Sequence, residues 1–153
     1  MIEQRQINLA ITKALKDVTG CEVVKANLAH APIPPYPYIS FSIIRTETRK
    51  GTYSVEENRY ISLTQTWSIT VQGDKDDETL EKAMAAHDWL EEAGRLELQE
   101  QGMVIESIGA IQNRDTLLTV CYEYRKGFDV VLSLINVIKE ETEVIEQANI
   151  EGM

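Results

Sequence analysis

At 153 residues, 43% hydrophobic and 26% charged, the chain has the make-up of one soluble globular domain with a single core. Its formal net charge of −10 argues against unaided binding to a phosphate backbone or an anionic membrane surface, since both need a basic footprint. No apolar run approaches the ~20 residues of a membrane-spanning helix, and the opening MIEQRQINLA, with Glu3 and no basic-then-apolar stretch, does not read as a signal peptide.

Ile7, Ala10, Ile11, Ala14, Leu15 and Val18 recur at helical spacing, and Gly20 is placed to stop that helix. Residues 21–25 (CEVVK) read as a short strand. All four prolines fall within 26–37, which makes that stretch extended, rigid and foreign to a sheet interior. Residues 38–48 alternate Ile39, Phe41 and Ile43 with Ser40 and Ser42, the period of a strand. Residues 49–58 (RKGTYSVEEN) are polar and read as a long connection, expected to be a mobile arm that orders against a neighbour. Residues 60–72 carry the plainest pattern: Ile61, Leu63, Trp67, Ile69 and Val71 face one way, and serines, threonines and Gln72 face the other.

GDKDD at 73–77 breaks the sheet, with Asp76 or Asp77 expected to cap the next helix. Leu80, Ala83, Met84, Leu90 and Ala93 are its expected buried stripe, and it ends near Gly94 or runs on to Gly102. Residues 103–112 read as a strand. Residues 128–138 (FDVVLSLINVI), apolar on both faces, read as a buried central strand. Between them, periodicity alone would make 118–124 another strand. These elements imply an α+β fold over 1–138: a mixed, largely antiparallel four- to five-stranded sheet with two helices packed on one face. An acidic tail over 139–153, expected to be partly disordered, follows.

The charge is uneven. Residues 73–102 hold ten acids against three bases, 139–153 hold five against one, and the remainder is nearly neutral. Glu81, Asp88, Glu91 and Glu92 are expected on a solvated helix face. Enzyme readings lack their parts: there is no nucleophile elbow, Walker loop or dinucleotide fingerprint. The histidines are His30 in the proline stretch and His87, which with Glu91 has i, i+4 spacing but no further metal ligand. Asp74, Asp76 and Glu78 begin like a calcium loop, yet Thr79 and Ala85 stand where glycine and glutamate are needed. Cys21 and Cys121 have no motif neighbours and read as two free, buried thiols. No catalytic residue, cofactor or metal is expected.

Over residues 9–138 the chain resembles the neck or tail-terminator proteins of tailed bacteriophages and prophages. Four segments carry the likeness in order: TGCEVVKANLAHAPIPPYPYISF, ISLTQTWSITVQGDKDDETLEKA, a strand ending in GAIQ, and TLLTVCYEYRKGFDVVL with its Glu-x-Arg. The resemblance implies a structural virion protein. It would form a ring, commonly a hexamer of this chain, that caps the tail tube, meets the head-connector protein and lets DNA pass without specific binding. It would be built in the host cytoplasm and reside in the virion neck, with no membrane partner. It also implies that 115–121 form an irregular excursion. Candidate subunit or partner contacts are Lys50 and Tyr53 in the 49–58 connection, Tyr36 and Tyr38 beside the prolines, and Arg125. The rival readings are a head-completion adaptor or minor tail protein of similar fold, and a small-ligand or peptide-binding module, which would need a concave apolar pocket.

Overall fold

A computed structural model describes residues 3–27, 32–55, 58–118 and 121–139, with side chains at 3–27, 32–48, 60–118 and 121–134. The elements in chain order are α1 (Gln4–Thr19), β1 (Glu22–Lys25), β2 (Tyr38–Val55), β3 (Asn58–Gly73), α2 (Asp76–Glu91), α3 (Ala93–Glu100), β4 (Met103–Ile108), β5 (Gln112–Asn113), β6 (Thr116–Leu117) and β7 (Tyr122–Lys139). The main ladder runs β1-β2-β3-β7-β4; β1 is parallel to β2 and every other pair is antiparallel. The fold is therefore α+β with a mixed, mostly antiparallel sheet. Among the described residues it has seven strands and three helices, more than expected, because the two-residue β5 and β6 also pair with β7 and the second helical stretch is split.

The core lies on one face of this sheet. Antiparallel register places Trp67, Ile69 and Val71 of β3 on the same side as Phe128, Val130, Leu132 and Leu134 of β7 and Ile39 and Phe41 of β2. Phe41 stacks on Trp67 at 5.0 Å. α1 adds Ile7, Ile11 and Leu15, roughly one per turn, and ends at Gly20, whose φ of 73° is left-handed. A polar residue on the core face, Gln65, is satisfied there: its amide bonds Gln4 of α1, and Trp67 Nε1 donates to it at 3.2 Å.

The second helical stretch differs from expectation in three ways. Its buried stripe is Thr79, Ala83, Ala86 and Leu90, continuing in α3 through Gly94 and Leu98, while Leu80 and Met84 remain 39% and 47% exposed and Ala93 is exposed. An apolar arc this broad fits two phases, and burial of Thr79 selects one: its hydroxyl donates to Lys75 O at 2.6 Å, so the threonine enters the core satisfied. The N-cap is Lys75, with neither Asp76 nor Asp77 capping; all three acids of the first turn still sit at the positive end of the helix dipole. The helix then breaks at Glu92, with Gly94 beside the Trp89 ring, where a Cβ would stand 2.5 Å from it. Glu81, Asp88, Glu91 and Glu92 are exposed as expected.

Residues 49–55 and 58 are strand, not a connection. β2 and β3 stay paired from Tyr38↔Gln72 out to Val55↔Asn58, interrupted by register shifts at Ile43/Arg45 and Thr48/Thr52. Threonine, tyrosine and valine are good strand formers whatever their polarity, and the bulges absorb the extra residues. The segment thus extends a hairpin and is no free arm. At the other end, β7 begins at Tyr122, six residues before the apolar run. Strand and excursion therefore divide the ambiguous segment, and the Leu118 N–H donates to Cys121 O at 2.8 Å. Cys121 is exposed, and Cys21 alone of the two thiols is buried. Residues 140–153, and so the expected disorder of the tail, lie outside the described residues, as does His30. Among the described residues, no helix is long and apolar enough to cross a membrane.

Candidate assembly surface

Among the described residues, the other face of the sheet carries no helix. Tyr38, Ser40 and Ser42 of β2, Thr66, Ser68, Thr70 and Gln72 of β3, and Glu123, Arg125, Gly127 and Asp129 of β7 share it by register. The sequence pattern suggests a plain row of short hydroxyls, but two arginines lie across it. Arg114, from the link between β5 and β6, passes over Gly127 to reach β3. Its Nη1 donates to Ser68 Oγ and Thr70 Oγ1, both at 2.9 Å, and its Nη2 donates to Asp129 Oδ1 at 3.2 Å. Gly127 makes this crossing possible: a Cβ there would stand 2.6 Å from Arg114 Nη1 and from Ile69 O.

Three of the candidate contact residues meet at one end of this face. Tyr36 stacks on Tyr38 with ring centroids 5.7 Å apart. The Tyr36 hydroxyl makes a short hydrogen bond to Glu123 Oε2, and Arg125 Nε donates to Glu123 Oε1 at 2.5 Å. Glu123 is only 4% exposed, so its two donors offset the cost of burying a carboxylate. The bond to Glu123, and then burial, hold the Tyr36 phenol well above its usual pKa; burial first, then the Glu123 charge, raises that of Tyr38. This cluster fastens the proline segment over the sheet. Between the two lies an open groove of about 380 Å³ whose walls include Ile33, Pro34, Ser40, Thr70, Arg114 and Arg125.

A second polar cluster ties the helix side to the same end. Lys126 Nζ bonds Asp115 Oδ1 and Oδ2 at 2.9 and 3.0 Å and Asp76 Oδ1 at 3.1 Å. Asp115 Oδ1 also accepts Arg125 N–H at 2.7 Å. Burial by itself would raise the Asp115 carboxyl, but the Arg125 N–H and the Lys126 ammonium outweigh it and hold its pKa below the usual value. Burial would likewise lower Lys126, and the Asp115 and Asp76 carboxylates outweigh it, raising its pKa. Asp76 is thus a partner of Lys126 rather than a cap.

Sequence reading missed Arg114, Asp115 and Lys126. The signal available was a lone glycine, Gly127, inside a strand and directly after Glu123, Arg125 and Lys126, a mark of close approach by another group. Lys50 and Tyr53 are not part of this surface. They lie on β2 far along the hairpin, Lys50 within the Thr48/Thr52 bulge and Tyr53 paired with Tyr60. There β2, β3 and β7 form a three-stranded ribbon whose backbone pairing continues to Asn58↔Lys139. His87 Nε2 lies 2.9 Å from Gly109 O, its ring sits edge-on to Phe128 at 4.9 Å, and Nδ1 is 3.9 Å from Glu91. Among the described residues no group of three or more His, Cys, Asp or Glu side chains is placed to hold a metal.

Residues 9–152 match a family model described as phage neck terminator protein. The match covers nearly the whole chain and runs past residue 138, through most of the acidic C-terminal segment. No curated protein matches the chain.

Proposed function

We propose, on the premise that this chain belongs to the phage neck terminator family, that it assembles into a ring, a hexamer, which closes the head-proximal end of the tail tube and seats the head connector. The family is one of structural neck proteins, and the ring, the tube contact and the connector contact are the finer reading. The observation that supports it is the ribbon. β2, β3 and β7 are 18, 16 and 18 residues long, about three times a typical strand. Their backbone pairing runs five residues past Leu63 on β3, from Ser62 to Asn58, or about 17 Å at ~3.4 Å per residue. The end of β7 reads LINVIK, apolar at alternate and adjacent positions, a composition that suits a strand covered by a neighbouring subunit in the ring. A net charge of −10 per subunit suits a channel through which DNA slides without adhering.

Electron microscopy of purified tails carrying a tagged copy of the chain tests the reading. A ring of density at the head-proximal end is expected. Density at the distal tip, or tails complete without the protein, overturns it.

A further inference from the structure

We propose that the groove between the proline segment and the open sheet face receives the acidic C-terminal segment, residues 139–153, of a second copy of the chain. The inference rests on the ring reading above and names a contact within it. The described residues that wall the groove include Lys25, Arg114 and Arg125 and no carboxylate, in a chain whose overall charge is −10. Arg125 engages Glu123 through Nε alone, and both of its terminal nitrogens are without a partner among the described residues. A guanidinium in that state presents a two-pronged site for an incoming carboxylate.

The chain holds two concentrations of acid that could supply one. The first is the exposed face of α2 and α3; the second is 139–153, with Glu140, Glu141, Glu143, Glu146 and Glu151 against Lys139. The acids of α2 and α3 are held on the surface of two helices, whereas 139–153 follow the end of a strand in the chain and can enter the groove as an extended segment. The family match through residue 152 makes this segment part of the family's body.

Reach decides between the chain's own segment and a neighbour's. Arg125 and Lys139 are fourteen steps apart on one strand, or about 46 Å at ~3.3 Å per residue. Glu146 stands seven residues beyond Lys139 and extends at most about 25 Å from it. The four glutamates nearest the strand therefore fall short of their own groove, and the occupant is a second copy. The contact further requires β3 and β7 to run around the ring, so that the ribbon end of one subunit overlies the groove end of the next.

The test uses the full chain with Cys121→Ser, Ala26→Cys at the groove wall and Gln147→Cys in the acidic segment, assembled on tails that lack their own terminator and treated with a short bis-maleimide. A ladder of covalent oligomers climbing to the ring order on a denaturing gel is expected. It should vanish when Glu140, Glu141, Glu143 and Glu146 are all changed to glutamine. Cross-linking confined to single chains, a ladder that persists in the glutamine variant, or a ring on the tail with no cross-link each overturns the proposal and leaves the ring reading standing. Failure of the chain to bind tails or to self-associate overturns both.

Discussion

Lys126 leaves β7 on the core side of the sheet, where a cation is at home only because Asp115 and Asp76 close over it. The pair gives a pH dependence of defined sign. The Asp115 pKa is held below its ordinary 3.8, so its contribution to stability is fully present above about pH 4 and is lost as the pH falls through the lowered value. The Lys126 pKa is raised above 10.5, so its contribution is present below that pH and is lost only in stronger base. Asp115→Asn should cost about 1–3 kcal/mol at pH 7, because it leaves a nearly buried ammonium short of a partner. Asp76→Asn, at an exposed partner, should cost less than about 1 kcal/mol. Urea denaturation at several pH values checks both: the deficit of the Asp115 variant should begin to shrink as the pH falls below about 4 and should vanish only once the pH has passed the lowered pKa of the native carboxylate. Equal costs for the two variants would mean that Lys126 does not depend on Asp115. None of this was legible in the sequence, where Asp115 and Lys126 are separated by an irregular segment and neither lies on a periodic face.

Among the elements, the ribbon has the most direct experimental handle. Thr48 and Leu63 are partners in the ladder, so replacing residues 49–62 with Asn-Gly joins them through a two-residue turn of the favoured hairpin type. The core residues from Leu63 inward are untouched. The shortened chain should keep the denaturation midpoint of the parent to within about 1 kcal/mol of stability, yet fail to complete tails. Thermal and urea melts read the first outcome, and counting finished tails by microscopy reads the second. Normal tails from the shortened chain would remove the ribbon from the assembly argument. The strand pattern at 60–72 announced β3 almost in full, because one face is buried and period two is then enforced. The same logic fails at 49–55: the backbone ladder with β3 continues there, but a mostly polar stretch displays no hydrophobic period to announce it.

On the scale of the whole molecule, charge is segregated. The sheet end carries Arg114, Arg125 and Lys126 within paired networks, and the exposed side of α2 carries Glu81, Asp88 and Glu92. Reversing those three to lysine should change stability by no more than about 0.5 kcal/mol per site, since none of them touches the core. If the proposed ring is seated through the ribbon and groove, tails should also assemble normally. Urea melts and tail counts across a range of salt concentrations check this. A salt-dependent assembly defect would instead place the α2 face at the channel or a docking contact, where six added charges per subunit attract phosphate.

What the sequence determined by itself was everything that repeats. The α1 stripe ending at Gly20, the alternating strands, the apolar run of β7, the acidic helix face and the α+β class follow from periodicity, and the order of segments pointed to the phage neck. What only the tertiary structure decided is whatever depends on residues distant in the chain: the α2 phase chosen by a satisfied Thr79, the hairpin continued through the mostly polar residues 49–55, and the Arg114 crossing over Gly127. The meeting of Tyr36, Glu123 and Arg125 belongs to the same class. The physical reason is common to all four. Burial imposes a period that a sequence displays, whereas hydrogen bonds and ion pairs between distant segments are satisfied one by one, at positions that no period marks.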